Sequence, residues 1–219
     1  MRMNQTVYRT PVFRVLSDDQ IERIYYAALD VLEDTGCLVH HDEALKLLKK
    51  NGAVVDGNWV RIPISLVERA LGNNPRKMTL KGRNGKRSLP LHKNNVAFGT
   101  GSDQPFIFDR ETGKRRRTTY KDVYDAARFV DCLSNYDFFM SHGLVSDVPN
   151  DQTYDRHQFM AMIEGCTKPL VITSVDREGL EDQYKMACLI QGGEDEFRLN
   201  PLFVIYIEPI SPLKNAHAL

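Results

Sequence analysis

The chain has 219 residues, of which 42% are hydrophobic and 26% are charged, a composition typical of a globular protein with a sizeable core. Lysine and arginine together number 29, as do aspartate and glutamate, which argues against nucleic acid or an acidic membrane as a partner. Four scattered cysteines without a C-x-x-C pair indicate neither a disulfide framework nor a zinc site. With no leader and no apolar run of about 18 residues, the pattern predicts a soluble, cytoplasmic protein.

The first region, residues 1–117, is predicted to open with helices. Capping boxes, apolar residues at helical spacing and glycine or proline stop signals mark three of them. The predicted helices run from the Ser17 box to Gly36, from about Asp42 to Lys50, and from the Ser65 box to a point before Pro75. Between the second and third helices, Asp56-Gly57-Asn58 separates two apolar runs and predicts a tight β-hairpin, since Asp and Gly tolerate positive φ.

The rest of this region, from residue 77 to residue 117, has the pattern of a small, mostly antiparallel β region. The predicted strands are Met78–Leu80, Val96–Phe98 and Phe106–Phe108. The run Lys114–Arg117 is compatible with a polyanion patch. A solvated edge strand is the favoured interpretation, because the net charge of the chain is zero.

The second region, residues 118–219, alternates between helical and strand patterns. Near-continuous apolar strands separated by helices are typical of parallel βαβ units, whose sheets are covered on both faces. The predicted elements are a helix capped at Thr119, strands Tyr136–Met140, Pro169–Thr173 and Leu202–Ile207, and helices Tyr154–Glu164 and Leu180–Gln191. Three parallel strands alone would leave a broad apolar face exposed, so the chain is expected to be a fragment of a longer protein.

Generic catalytic signatures are absent: there is no G-x-G-x-x-G, Walker loop, H-E-x-x-H or G-x-S-x-G. One candidate ligand-binding tract is Phe98-Gly99-Thr100-Gly101-Ser102-Asp103, where glycines flank a hydroxyl and would let backbone amides approach an anion or carbonyl. The alternative is an ordinary turn at a strand end. The pattern by itself is compatible with both interpretations.

Residues at the ends of the predicted parallel strands carry more weight, because ligands of α/β folds bind at the carboxyl edge of the sheet. His142 follows the first of these strands, Thr173 and Ser174 follow the second, and Glu208 and Ser211 follow the third. Such side chains bind polar substrates or move protons. The alternative role is capping the next helix or satisfying loop backbone.

Four aromatic residues near these strands are interpreted as core residues. They are Tyr136, Phe138, Phe139 and Tyr206. An aromatic box around a quaternary amine is the alternative, although the spacing does not imply one.

Several stretches taken together resemble the trimethylamine methyltransferase family, and their order and separations match the family across nearly all of the chain. They are Ala28-Leu29-Asp30-Val31-Leu32-Glu33-Asp34-Thr35-Gly36, Asn51-Gly52-Ala53, Val60-Arg61-Ile62-Pro63, Phe98-Gly99-Thr100-Gly101, Asn135-Tyr136-Asp137-Phe138-Phe139 and Ser211-Pro212-Leu213. The resemblance implies an α/β fold in which amino-terminal helices and a small β region precede the first part of an incomplete (β/α)8 TIM-type barrel. It implies no catalytic residue or metal ligand at an identified position of this chain.

The resemblance also implies an activity. Such proteins transfer a methyl group from a tertiary or quaternary methylated amine, such as trimethylamine or a betaine, to the Co(I) corrinoid of a separate partner protein. The enzyme itself would bind no cofactor directly, since the methylcorrinoid (cobalamin) belongs to the partner. Candidate substrate-binding residues are Phe98, Gly99, Thr100, Gly101, His142, Glu208 and Ser211. The 219-residue fragment alone is expected to be inactive, because so few strands cannot enclose a substrate.

One position departs from the family pattern. Where trimethylamine enzymes have a Cys before Pro-Thr-Ser-Pro-Leu, this chain has Glu208 before Pro209-Ile210-Ser211-Pro212-Leu213. The departure weakens the case for a shared substrate, although a carboxylate near an ammonium group is electrostatically favourable. Two alternatives to this enzyme stay open. One is a non-catalytic module that oligomerises through an open strand edge or binds a protein partner, and the other is a different TIM-barrel enzyme.

Overall fold

The computed structural model describes residues 13–91 and 95–215, which divide into two compact units. Within these ranges, the larger unit contains residues 77–206 and the smaller unit contains residues 13–76 and 207–215. The predicted boundary between residues 117 and 118 falls inside the larger unit, because the hairpins before it pack with the parallel sheet after it. The division by contacts therefore does not coincide with the predicted one.

The smaller unit opens with helices and a hairpin. Its elements are helix α1 (Asp18–Asp30), a π-helical turn (Val31–Thr35), strand β1 (Cys37–Val39), helix α2 (Asp42–Lys50), strands β2 (Val54–Asp56) and β3 (Trp59–Arg61), and helix α3 (Ile64–Asn73). The first helical segment stops at Gly36 as predicted, with φ at 80° and no room for a Cβ beside the carbonyl of Val60. The predicted cap at Ser65 is wrong, because α3 begins one residue earlier, after Pro63.

The larger unit contains two antiparallel hairpins followed by alternating helices and strands. Its elements are β4 (Met78–Lys81), β5 (Ser88–Leu91), β6 (Phe106–Phe108), β7 (Arg115–Arg117), α4 (Tyr120–Cys132), β8 (Phe139–Met140), α5 (Tyr154–Gly165), β9 (Leu170–Ile172), α6 (Arg177–Gln191), α7 (Glu194–Leu199) and β10 (Phe203–Ile205). Strands β4 and β5 pair with each other, as do β6 and β7, so the antiparallel β region is confirmed. The edge-strand interpretation of the arginine run is confirmed as well.

The three last strands of this unit form a parallel sheet in the order β10-β9-β8. Leu170 of the central strand pairs with Phe139 on one side and Phe203 on the other. Helices α4, α5 and α6 supply the apolar side chains that bury the sheet, among them Val123, Phe159 and Ala187. The predicted βαβ units are therefore confirmed, whereas the (β/α)8 barrel stays a prediction.

One predicted strand of the β region does not form. Residues 96–98 have no strand ladder, and Phe98 instead exchanges hydrogen bonds with Asp137. The Asp137 carboxylate accepts from the Phe98 amide at 2.8 Å, so a side chain takes the place of a ladder partner. Strand β5 and helix α7 were not predicted. The former carries Pro90, which weakens a strand pattern.

The smaller unit is completed by strand β11 (Lys214–Asn215), which pairs in parallel with β1. Its sheet has the order β11-β1-β3-β2, and the buried residues Cys37, Val39, Ala53 and Val60 form its core. Strands this short leave no periodicity in the sequence, and both β1 and β11 went unpredicted for that reason.

Candidate functional site

The carboxyl edge of the parallel sheet, defined as the residues that directly follow β8, β9 and β10, gathers polar groups in the larger unit. Ser141 and His142 follow β8, while Thr173 and Ser174 follow β9. Tyr206 follows β10, and its amide donates to the carbonyl of Ile172 at 2.7 Å. Tyr206 is 41% exposed, so its interpretation as a core residue is wrong, whereas Phe139 is fully buried as expected.

Asp103 is brought to this edge by a segment that runs beside β8. The Thr100 hydroxyl lies 3.0 Å from the Met140 amide and 3.1 Å from its carbonyl oxygen, accepting from the first and donating to the second. Three residues on, the Asp103 amide donates to the Ser141 carbonyl at 2.7 Å. Asp103 has a φ of 49°, a left-handed conformation that Asp and Asn adopt more readily than other L-residues with a side chain. These backbone bonds hold it there, which is typical of residues at functional sites.

The Asp103 carboxylate has spare capacity to bind a cation. Its Oδ1 accepts from Thr173 Oγ1 at 3.3 Å and from Gln158 Nε2 at 3.4 Å. Both distances exceed the roughly 2.7–2.9 Å of strong charge-assisted hydrogen bonds. Its Oδ2 has no hydrogen-bond partner among residues 13–91 and 95–215. The carboxylate is therefore anchored weakly through one oxygen and open at the other.

Helix α5 adds two side chains to the site, one helical turn apart. Gln158 is buried and donates to the Gly143 carbonyl at 2.6 Å, which ties α5 to the loop after β8. Burial, followed by the negative charges of Asp103 and Asp155, raises the pKa of Tyr154 to about 12. The Tyr154 hydroxyl thus stays protonated at neutral pH and available as a donor beside the Asp103 carboxylate.

Unpartnered polar atoms also mark this part of the unit. Ser141 Oγ, His142 Nδ1 and Gln183 Oε1 are buried and have no hydrogen-bond partner. Burial lowers the pKa of His142 and outweighs the opposing charge of Asp122, so its imidazole is neutral at pH 7. Buried polar groups normally find partners, and those left without one in a native fold are candidates to bind a ligand or water.

A second layer of contacts fixes the loop that follows β9. The fully buried Asp155 carboxylate accepts from Ser174 Oγ at 3.1 Å and from the Val175 amide at 3.0 Å. Arg156 pairs with the same carboxylate at 3.2 Å. Gln183 Nε2 donates to the Thr173 carbonyl at 3.0 Å. Thr173 therefore presents its hydroxyl to Asp103 from a loop whose backbone is held at several points.

The residues predicted to bind substrate are divided between the two units. His142 lies at the carboxyl edge of the larger unit, whereas Glu208 and Ser211 are exposed in the 207–215 segment of the smaller unit. Within the glycine tract, an added Cβ at Gly99 would collide with the ring of Phe138, whereas Gly101 faces open space. Phe98, Gly99 and Thr100 make their described contacts with residues 137–140. Their roles in substrate binding stay predictions.

Sequence reasoning missed Asp103, Tyr154 and Gln158 as site residues. Asp103 reaches the edge only because residues 103 and 104 pair with residues 141–143, a long-range pairing that has no local signal. Tyr154 and Gln158 lie four residues apart on α5, a spacing that places them on one helix face. That spacing was the single available signal, and it does not distinguish a site from a core.

The described part of the chain offers neither a metal centre nor a membrane span. No group of three or more His, Cys, Asp or Glu side chains in residues 13–91 and 95–215 is placed to hold a metal ion. In the same ranges, every helix is too short or too polar to cross a bilayer.

The fold and the site together define an α/β protein with a cluster of polar residues at the carboxyl ends of its parallel strands, the place where α/β folds usually bind ligands. The chain belongs to the trimethylamine methyltransferase (MTTB) family, whose model matches residues 1–219. The resemblance seen in the sequence is thereby confirmed.

Individual relatives come from bacteria and archaea. The chain is 32% identical over 200 residues to trimethylamine methyltransferase MttB of Desulfitobacterium hafniense, covering 90% of this chain and 40% of that protein. It is 27% identical over 206 residues to glycine betaine methyltransferase of the same species, covering 93% and 42%. For trimethylamine methyltransferase MttB of Methanosarcina barkeri the identity is 29% over 209 residues, covering 91% and 42%. The chain thus spans about two-fifths of the length of these relatives.

Proposed function

We propose that the protein containing this chain transfers a methyl group from a tertiary or quaternary methylated amine to the Co(I) corrinoid of a partner protein. The names of its relatives, trimethylamine methyltransferase and glycine betaine methyltransferase, support the reaction class and the kind of substrate. The observation that carries the proposal within the chain is the half-buried Asp103 carboxylate at the carboxyl edge. A methylated ammonium is the kind of cation that such a carboxylate would hold.

The reaction requires little acid-base catalysis from the protein. In a quaternary substrate the N–CH3 bond breaks with its electron pair staying on nitrogen, and Co(I) supplies the pair that bonds the methyl carbon. The amine leaves neutral and the cobalt becomes methyl-Co(III), so charge and electrons balance. The protein has to desolvate the ammonium and orient one methyl group. The nitrogen of a tertiary amine must be protonated or otherwise activated to become an equivalent leaving group.

The charges of the site residues are compatible with binding an ammonium group. The Asp103 carboxylate would hold the ammonium by charge, while the neutral Tyr154 hydroxyl and the neutral His142 imidazole add no competing positive charge. We further propose that strands β8 to β10 are the first part of a (β/α)8 barrel, whose carboxyl edge is the usual place for a site. The free thiols, with Cys37 and Cys166 buried, fit the reducing cytoplasm in which we place the protein.

The test is methyl transfer by the full-length protein under anaerobic conditions. The Co(I) absorption of reduced corrinoid proteins is followed while trimethylamine, glycine betaine or tetramethylammonium is added, with triethylamine as the control that has no N-methyl group. We expect one of the methylated amines to convert Co(I) to methyl-Co(III), with an equal amount of demethylated amine formed. Absence of transfer from every methylated amine tried, with Co(I) intact, would overturn the proposal.

A further inference from the structure

The β6–β7 hairpin, residues 105–117, has one face that is both aromatic and basic. Phe106 pairs with Arg117 and Phe108 pairs with Arg115, so these four side chains share the outer face. Phe108 is 74% exposed and Phe106 is 40% exposed. The Arg115 guanidinium lies 3.8 Å from the centre of the Phe106 ring. Exposed phenyl rings beside arginines are the composition found at the centres of protein interfaces.

The opposite face of the hairpin is fixed to helix α4. Arg116 donates to the Asp122 carboxylate at 2.6 and 2.9 Å and to Asp109 at 3.0 Å. These bonds lower the pKa of Asp122 to about 2, so the pairing persists at any working pH. The hairpin is therefore a supported element rather than a loose loop, and it presents its outer face without a large ordering cost on binding.

The base of the hairpin lies at the carboxyl edge. It begins two residues after Asp103, and the intervening Gln104 donates through its amide to the His142 carbonyl at 3.3 Å. At the other strand, the Thr118 hydroxyl donates to the Gln104 carbonyl at 3.0 Å, and the Ser146 amide donates to the Thr118 carbonyl at 3.0 Å. A large molecule that reaches the site at this edge would meet the hairpin.

Charge indicates what kind of molecule fits. Residues 105–117 contain five basic and two acidic side chains, although the whole chain has no net charge. Asp109, one of the two acids, is already paired with Arg116. Beside the rings lies an open groove of about 280 Å³, lined by Gln104, Pro105, Phe106, Ile107, Phe108 and Arg115. The complement of this surface is an acidic protein patch with an apolar centre.

We propose that the outer face of the β6–β7 hairpin is the docking surface for the corrinoid-bearing partner, and that the partner presents an acidic, apolar-centred patch to it. This inference rests on the proposed function, because that reaction requires a protein-bound cobalt to come to the carboxyl edge. The hairpin is attached to that edge through Gln104 and Thr118, and the charged side chains that share its outer face with the rings, Arg115 and Arg117, are both positive. Charge of one sign steers association and fixes the orientation of docking.

The experiment measures binding directly and uses charge reversal at exposed side chains. Corrinoid proteins of the same organism, loaded with hydroxocobalamin, are titrated against the full-length protein by calorimetry. The variants are Arg115→Glu combined with Arg117→Glu, and separately Phe108→Ser. The matched control is Lys86→Glu, an exposed charge reversal on the β4–β5 hairpin. We expect the hairpin variants to weaken binding at least about tenfold, and Lys86→Glu to leave it unchanged.

Two further readouts separate this inference from its alternatives. Added salt should weaken binding by the wild type more than binding by the double arginine variant. Thermal stabilisation by a bound methylated amine should be the same in all variants, which separates docking from damage to the fold or site.

Three outcomes would each overturn the inference. They are binding that the hairpin substitutions leave unchanged, no binding of a corrinoid protein by the wild type, and arginine-dependent binding of a single-stranded oligonucleotide instead. Failure of methyl transfer alone, with hairpin-dependent binding intact, would contradict the proposed reaction but not the proposed docking surface.

Discussion

The two edges of the parallel sheet in the larger unit differ in whether their buried polar groups have hydrogen-bond partners. At the amino edge, the buried Lys168 ammonium donates to the carbonyls of Val130, Leu133 and Tyr136 at 2.6–2.7 Å. At the carboxyl edge, the Ser141 hydroxyl and His142 Nδ1 are buried without a partner. A buried polar group is stabilising only when its bonds are complete. The difference indicates that the amino edge stabilises the fold, whereas the carboxyl edge keeps binding capacity for a ligand.

The amino edge is closed by contacts that include the β4–β5 hairpin. The Asp131 carboxylate accepts from the Thr167 amide at 2.8 Å and from its hydroxyl at 2.9 Å, and it also pairs with Arg87 at 3.1 Å. The Lys81 amide donates to the Pro201 carbonyl, just before β10. Lys168 itself donates to carbonyls at and just after the end of α4, where backbone acceptors lack the usual helical donor. The Val130 carbonyl also accepts from the Leu133 amide at 3.1 Å. Each of these groups forms a hydrogen bond or an ion pair that stabilises the fold.

The most severe test of the comparison is Lys168→Met, which keeps the apolar stem and removes the ammonium. The carbonyls of Leu133 and Tyr136 lose the donor described for them, while Val130 keeps the Leu133 amide, so at roughly 1 kcal/mol or more for each unsatisfied acceptor the free energy of unfolding should fall by about 2 kcal/mol. Urea unfolding of the full-length protein measures this. Lys86→Met, at an exposed position, should change stability by less than about 0.5 kcal/mol. Equal stability of the two variants would contradict a stabilising amino edge.

The next test is Asp103→Asn, which removes charge from the carboxyl edge and keeps the shape. Asn adopts a left-handed φ as readily as Asp, so the backbone at 49° should be retained. A contact to a charged group contributes roughly 1.5–3 kcal/mol, so kcat/KM for the methylated amine should fall about 10- to 100-fold. Steady-state methyl transfer and a melting curve measure the two quantities separately.

The matched control for that variant is Asp125→Asn, which removes an exposed carboxylate from helix α4 of the same unit. It should leave methyl transfer unchanged. If Asp103→Asn also left kcat/KM unchanged, the ammonium would bind elsewhere. If it lowered stability as much as Lys168→Met, the functional contrast between the edges would be lost.

A smaller effect, on stability, is expected at the glycine tract that lies beside β8. In Gly99→Ala the new methyl group would collide with the Phe138 ring, and relieving such a clash typically costs about 1–3 kcal/mol. Gly101→Ala has no atom within 4 Å of the new Cβ, so it should be nearly neutral. Melting temperatures should differ by about 2–4 °C for each kcal/mol in a chain of this size. A neutral Gly99→Ala would show that the tract is not held for packing.

The smallest effect concerns pH and His142. Burial puts the folded-state pKa of His142 below its ordinary value of 6.5, so below that pH the unfolded state binds more protons than the folded state. The stability due to the neutral imidazole is therefore complete above about pH 6.5 and falls as the pH decreases towards the folded-state pKa. His142→Gln should reduce the loss of melting temperature between about pH 7.5 and about pH 5.5. An identical pH profile in both proteins would show that His142 is not protected from protonation.

Local signals account for the elements that were predicted well. Helix α2 has the predicted bounds, and α4 begins after Thr119, whose hydroxyl and Asp122 form the expected capping box. The strands of the parallel sheet were found because continuous apolar runs mark burial on both faces. The missing elements are those without such a signal, β1 and β11 in particular. Strand β1 forms by pairing with β3 and β11, and β11 forms by pairing with β1, so both depend on residues distant in the chain.

In the candidate site, too, the residues that were not predicted are those without a local signal. His142, Thr173 and Ser174 were found because their place after a strand is visible along the chain. Asp103 ends the glycine tract but was not predicted to bind a ligand, because its place at the carboxyl edge depends on bonds to Ser141 and Thr173. Lys168 carried no signal either, because its three acceptors are 32 to 38 residues away in the chain.

The sequence by itself determined the family, the starts of helices α1, α2 and α4 and the parallel character of the sheet, because motif order, caps and apolar periodicity are properties of neighbouring residues. Tertiary structure alone decided which polar side chains have partners and which keep free capacity. A hydrogen bond depends on distances of a few tenths of an ångström between segments far apart in the chain. No local pattern contains those distances, so the contrast between the two edges emerged only in the folded protein.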